Sequence, residues 1–529
     1  MMENEKFVTI IGAGLAGLSA AITLARREVK CNLVSIQPSE RAQSVLAEGG
    51  INAALNTMGE DDTTTQHFED TMKGGCNLES EKAVKYLVEN APRIVNELYR
   101  LGVPFNAEKG RIILRNFGGQ KKKRTAYAKS STGKIIMTAL IDEARKYEVK
   151  GLITRYPCHE VVDFETEDGK IIGVKVRNCH THEAIAFKGQ IILCSGGLNG
   201  LFDGYTTGTT QNSGNVTALA FAHGIELSDL EFVQYHPTTA KISDKIMLVS
   251  EAARGEGGRL FVMRNGEKWY FMEEKYPVLK NLMPRDVVSR ECYKVVREPD
   301  CENQVYLDMT GLNASIWRDK LSDLRDEIRF YLHIDPKNTP VPVAPGIHFF
   351  MGGIRVDNTH RTSARGVYAA GECAAIYHGA NRLGGNSMLG AIVGGERAAL
   401  SAIEDINGFD SGVEKSKEIC STCESVKTSL KMRDVLINGL GIVRNERDMK
   451  TALDGIDELL GEDNNYIDSA RLNLAKAMVL SAIERKESRG SHTREDYPET
   501  LDKFKKKSVV KFDGKDINVE FVSSEDENE

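Results

Sequence analysis

Apolar residues along this chain come in short bursts whose period changes from one burst to the next. Residues 7–25, FVTIIGAGLAGLSAAITLA, pass nineteen positions without a charge. The first five form a continuous β-branched run, as in a strand buried on both faces. A glycine turn follows, and LSAAITLARR then takes on a helical texture. KCNLVSI (30–36) reads as a second, parallel strand that closes a strand–helix–strand unit. Nineteen uncharged residues are nearly enough to span a bilayer, but the glycines and the change of texture favour the strand–turn–helix reading. A basic leader with a small-residue cleavage site is lacking, so no secretory signal is expected.

Further along, Val84, Leu87, Val88, Ala91, Val95 and Leu98 recur at helical spacing between Glu81 and Leu101, with Pro92 expected to kink or break the helix. TGKIIMTALIDEARKY (132–147) reads as a second amphipathic helix. EVVDFETEDGKIIGVKV reads as two strands joined by a hairpin turn at EDGK (167–170). GQIILCSGG (189–197) and GVYAAGECAA (366–375) repeat the buried-strand-then-glycine pattern of the start. Between them, from about 237 to 347, the texture is mixed α+β, as expected of an inserted domain. Beyond 408 the chain is charged and helical, notably at MKTALDGIDELLG (449–461) and SARLNLAKAMVLSAIERKESR (469–489), and SSEDENE reads as a frayed acidic tail. The fold class expected is α/β: a Rossmann-like domain carrying an inserted α+β domain and followed by helices.

Composition narrows the chemistry. The chain has 529 residues, 41% hydrophobic and 27% charged, with a net charge of −7. That balance argues against nucleic acid as a partner, because phosphate neutralisation needs a basic face. QKKKR (120–124) is the one tight basic cluster and reads as a solvated loop. Ten cysteines are scattered, mostly singly in apolar runs, which points to a reducing, cytoplasmic setting. Cys420 and Cys423 form a CxxC with no second pair for zinc and no histidine for haem attachment, and iron–sulfur spacing is missing. No metal site is expected.

Gly12, Gly14 and Gly17 form GxGxxG. Following a strand and opening a helix, this spacing is a dinucleotide fingerprint: a turn, a close approach to pyrophosphate, and a helix packed on a strand, with phosphate at the helix N-terminus. The acidic residue that normally ends the second strand is missing. VSIQPSE offers Ser35 and Gln37 instead, which weakens a nicotinamide reading.

Several stretches, in order, resemble the flavoprotein subunit of the fumarate reductase/succinate dehydrogenase family, with L-aspartate oxidase as a close relative. They are RAQSVLAEGGINAAL, RNFGGQKKKRTAYA, EFVQYHPT, SEAARGEGG, MPRDVVSR, HFFMGGIRVD, AAGECA and HGANRLGGNSM, with RKESRGSHTREDYP (485–498) extending the match. The resemblance implies an FAD-binding domain in two parts (1–236 and 348–407), a capping domain (237–347) and a C-terminal helical domain (408–490); beyond these a tail (491–529) is expected. The resemblance implies that Gly12, Ala13, Gly14, Leu15, Ala16 and Gly17 hold the FAD pyrophosphate, with Ser35 and Gln37 toward the ribose. Gln43, Ser44, Ala47, Glu48, Gly49 and Gly50 would line the flavin, Asn215 stands where the family usually has Asp, and Glu372, Ser387 and Met388 would close over ribose and ring.

In membrane-linked members the position of Gln43 is a histidine that carries FAD covalently. An amide cannot form that bond, so non-covalent FAD is implied. The family's link raises the flavin potential, and because ~30 mV corresponds to ~1.4 kcal/mol for a two-electron couple, its loss favours reduction. The implied reaction reduces fumarate to succinate, with hydride from flavin and a proton from Arg285, fed through Glu251 and Arg254. His236, Ser250, His348 and Arg382 would grip the carboxylates. Read singly, the two histidines are core residues and Arg285 a clamp or ion pair. Phe117 occupies the position where aspartate oxidases place Glu, which favours fumarate over aspartate. Aspartate oxidation, or reduction of another unsaturated acid, is the alternative. Electrons would come from an iron–sulfur subunit or a soluble donor, and the chain is expected in the cytoplasm or peripherally on the inner face of a membrane through partners.

Overall fold

The computed structural model describes residues 6–129, 131–243, 245–419 and 425–523. Its centre is a five-stranded, wholly parallel sheet in the order Val367–Ala369, Gln190–Leu193, Phe7–Ile11, Lys30–Ser35, Ile153–Pro157. Both faces are covered, so its strands are continuous apolar runs rather than alternating ones. The helix Leu15–Arg26 packs on Asn386–Asp405, and they approach so closely that a Cβ on Gly395 would sit 2.1 Å from the Ala16 carbonyl. This contact ties residues after the inserted region to the first helix.

The predicted hairpin is present: His159–Glu167 and Lys170–Asn178 pair across Asp168 and Gly169, both at positive φ. The helix Glu81–Arg100 runs through Pro92 without a break. Eight buried side chains along one face, from Ala83 to Leu98, outweigh the ~3 kcal/mol cost of an internal proline. The basic run is not a free loop either. Lys123 pairs with Glu60, while Arg124 is fully buried between Asp62 (2.9 Å) and Asp70 (2.8 Å).

The cap is a six-stranded sheet ordered Lys245–Leu248, Val233–Ile242, Val341–Phe350, Cys301–Asp308, Arg259–Arg264, Glu267–Trp269. It has its own core, including Leu260, Phe271, Val288 and Leu307, separate from that of the parallel sheet. Its two longest strands, Val233–Ile242 and Val341–Phe350, pair with each other and carry His236 and His348.

Helices Val426–Gly439, Glu446–Leu460 and Tyr466–Glu484 follow, each started by a side-chain cap from Ser425, Asn445 or Asn465. Residues 491–523, expected as a tail, are structural instead. The hairpin Lys507–Phe512/Ile517–Val522 extends a sheet containing Leu227–Ser228, Gly353–Arg355 and Ala374–Ala375. Val509 and Val510 are fully buried, and Ser508 donates to buried Glu231 (2.7 Å). Cys420, Cys423 and the final six residues lie outside the described residues. Among the described residues, no helix is long and apolar enough to cross a membrane.

Candidate active site

A long cleft runs from the glycine turn at the C-terminal end of the central strand Phe7–Ile11 to the underside of the cap. Gly12 sits at φ +109 with its backbone against Cys194, so a Cβ there would lie 2.1 Å from the Cys194 carbonyl. Gly14 starts the helix Leu15–Arg26 with no side-chain cap, and Leu15 N–H donates to Ser44 Oγ (3.2 Å). The helix N-terminus therefore faces the cleft, where its unpaired N–H groups suit an anion. Gly17 does not line the cleft: a Cβ would fall 1.8 Å from the Gly12 carbonyl, so it serves the packing of the turn.

The other proposed cofactor positions line this cleft: Gly12 to Ala16, Ser35, Gln37, Gln43, Ser44, Ala47 to Gly50, Asn215, Glu372, Ser387 and Met388. Gln43 begins a short turn, and its Oε1 accepts from Thr209 N–H (2.5 Å). Glu372 is held by Phe350 N–H (3.1 Å), and burial pushes its carboxyl up to about 7 despite that bond and Arg382. Glu48 is likewise raised well above the usual range, chiefly by burial and then by Glu327. Asn212 Nδ2, Asn215 Oδ1 and Glu48 Oε2 are buried without hydrogen-bond partners among the described residues, and their residues border the cleft. A shallow glycine cradle, a helix N-terminus and orphaned polar atoms together fit a dinucleotide such as FAD. Sequence reasoning missed Ser195, Gly196, Asn212 and Glu160 on the same walls. The glycines after Cys194 and the QNSGN segment were the available signals.

Toward the cap the lining becomes cationic. Arg285, the first residue of the helix Arg285–Val295, grips Glu251 Oε2 through Nε (2.8 Å) and Nη2 (2.6 Å). Glu251 Oε1 accepts from Gly118 N–H (3.0 Å) and lies 3.3 Å from Arg254 Nη2. Burial raises the Glu251 carboxyl, but Arg285 and then Arg254 outweigh it and hold it at about 2. Arg254 does not line the cleft. It is buried behind Glu251 and donates to the Asn281 carbonyl (2.6 Å), so it reaches the site only through that carboxylate.

His236, His348, Ser250 and Arg382 also border the cleft. The two imidazole centroids are 5.2 Å apart. His348 Nδ1 is 2.8 Å from Thr207 Oγ1, and His236 Nε2 has no partner among the described residues. Burial, then neighbouring Arg285, depresses both imidazoles well below their usual range, so they are neutral at pH 7. Arg382 lies over the Phe349 ring (4.2 Å), and its Nε has no partner among the described residues. Phe117 is buried, its ring 3.0 Å from where a Gly49 Cβ would be, and it supplies no charge.

A dinucleotide cradle opening onto a buried, arginine-lined cap defines an FAD-dependent oxidoreductase. Residues 8–388 match the family described as FAD binding domain, and residues 469–527 match Fumarate reductase flavoprotein C-term. A succinate dehydrogenase flavoprotein subunit of Bacillus subtilis is 35% identical, covering 94% of this chain and 92% of its own. A fumarate reductase flavoprotein subunit of Haemophilus influenzae is 32% identical, covering 94% of this chain and 90% of its own. Among solved structures, an E. coli quinol fumarate reductase chain superposes with a TM-score of 0.87 at 28% identity, over 98% of this chain and 97% of that one. The chain belongs to the succinate dehydrogenase/fumarate reductase flavoprotein-subunit family.

Proposed function

We propose that this chain binds FAD without a covalent bond and interconverts fumarate and succinate, with fumarate reduction the favoured direction. The observation that carries the reading is Arg285, bonded twice to Glu251 and backed by Arg254, at the cleft wall that His236, His348 and Arg382 also line. When bound and reduced, FAD would supply the hydride. Arg285 delivers a proton to the other olefinic carbon and regains one handed from Arg254 across Glu251, which is ionised at rest and serves only as the relay. That an arginine serves as acid fits a very basic acceptor and a partly desolvated cation. Arg382 and the neutral imidazoles hold the carboxylates and stabilise charge that grows as hydride arrives. Gln43 carries an amide already engaged by Thr209 N–H, which supports non-covalent FAD and hence the reductive direction. Phe117 leaves an ammonium without a counter-charge, which disfavours aspartate. By analogy with relatives named as flavoprotein subunits, electrons arrive from a separate iron–sulfur protein or a soluble donor.

The test begins with acid precipitation of the purified protein, expected to leave all yellow colour in the supernatant. Dithionite-reduced holoenzyme mixed anaerobically with fumarate should then regain its flavin absorbance and yield succinate. A reduced protein that ignores fumarate, or an oxidised one bleached by aspartate, would overturn the assignment.

A further inference from the structure

Behind the two arginines, and outside the cleft lining, lies Gln234, fully buried on the strand Val233–Ile242. Its Oε1 accepts from Arg285 Nη1 (3.1 Å) and from Arg382 Nη2 (3.1 Å). Its Nε2 donates to Asn381 Oδ1 (2.8 Å) and to the Arg382 carbonyl (2.9 Å). The network fixes the amide orientation, since a flip would point NH2 at two cations and the oxygen at two oxygens. Asn381 in turn donates to Asp286 (3.0 Å), the neighbour of Arg285. The helix carrying Arg285 and the loop carrying Arg382 are thus joined through one amide.

Resting on the dicarboxylate reading above, we propose that Gln234 is a positioning residue that sets the separation of Arg285 and Arg382 while leaving their charge uncancelled. A carboxylate could hold both guanidiniums as well or better, but it would neutralise positive charge needed for a dianionic substrate. An apolar side chain would keep the charge and lose the spacing. The amide meets both demands, so charge and geometry are separable by substitution.

The probe is malonate, a dianion that needs no turnover, titrated calorimetrically into oxidised holoenzyme beside fumarate kinetics. Gln234→Glu should weaken malonate binding by about 10-fold or more, as expected from one added charge near two cations. Gln234→Met should change malonate affinity by less than about 5-fold but lower kcat by about 10-fold or more, because misplaced groups cost rate more than binding. Equal losses of malonate affinity in both variants would overturn the proposal in favour of a merely structural role, as would no loss in Gln234→Glu. Should Gln234→Met fail to fold, Asn381→Ala, which frees the amide, takes its place with the same expectation. If wild-type enzyme binds malonate yet does not reduce fumarate, the functional reading fails while the charge comparison still decides the role of Gln234.

Discussion

Replacing Arg285 by Ala removes three hydrogen bonds at once, two to Glu251 and one to Gln234. If Arg285 delivers the proton, kcat for fumarate should fall by about 10²–10⁴, the usual contribution of a general acid. Stability should change with a distinctive pH dependence. The Glu251 carboxyl is depressed from 4.5 to about 2, so its contribution is present above about pH 4.5 and is lost as pH falls toward 2. The size of that contribution is of order 3 kcal/mol. Arg285 is the larger of the two cations responsible, and without it the carboxyl rises. The melting temperatures of Arg285→Ala and wild type should therefore differ most near pH 7 and converge below pH 4.5. Arg285→Lys restores charge but not the two-point grip, so it should recover part of the stability while kcat stays low. Single-turnover reoxidation of reduced enzyme and thermal melts from pH 7 to 3 read both quantities. Retention of more than about a tenth of wild-type kcat, or a melting difference constant across that range, would refute the assignment.

Gly12→Ala places a Cβ 2.1 Å from the Cys194 carbonyl at φ +109, and the purified protein should carry little or no FAD, read from flavin absorbance per chain; full occupancy would disprove the cradle. Phe117→Glu sets a second buried carboxylate beside Glu251, since Phe117 and Glu251 atoms approach the same point at Gly384 within 3.2 and 3.0 Å. Fumarate kcat/KM should drop by about 100-fold or more, and an unchanged value would remove Phe117 from the site. Truncation before Lys507 strips the partner strand holding Val509 and Val510 and the hydroxyl bonded to Glu231; several kcal/mol should be lost at about 1.5–3 kcal/mol per buried side chain, read from urea unfolding. An unaltered urea midpoint would mean the hairpin is an ornament.

Local chemistry made the FAD side of the molecule readable. Gly12, Gly14 and Gly17 stand out through their spacing, although a Cβ would meet a sequence-local obstacle only at Gly17, against Gly12, and a distant one at Gly12, against Cys194. The cap was different: residues such as His236 and Arg285 are ordinary in isolation, and family resemblance was needed to group them. Arg254 shows the limit of that route, since resemblance named it but only the structure places it behind Glu251. Gln234 stood inside the quoted motif EFVQYHPT and drew no notice, because an uncharged amide has no signature until its four hydrogen bonds are known. The break weighed at Pro92, and the tail expected where the C-terminal hairpin lies, failed for one reason. In both, burial against distant chain decides the outcome, and local propensity carries no information about it.

The charges buried together at the cap favour a substrate with two carboxylates. Arg285, Arg254 and Arg382 contribute three guanidiniums, and Glu251, held at about 2, contributes one firmly ionised carboxylate. Glu372 sits near neutrality at about 7, and Glu48 is raised well above the usual range, so neither balances the remainder fully. About two positive charges are left among these buried side chains. A dianion matches that excess. A monocarboxylate would leave one guanidinium buried without a counter-charge, at a cost of several kcal/mol. Arg382, depressed chiefly by burial and then by Arg285, is the cation with most to gain from such a ligand, and its unpartnered Nε supplies a donor. On the proposed reading, leftover charge should favour dicarboxylates over monocarboxylates before any shape of the pocket is considered.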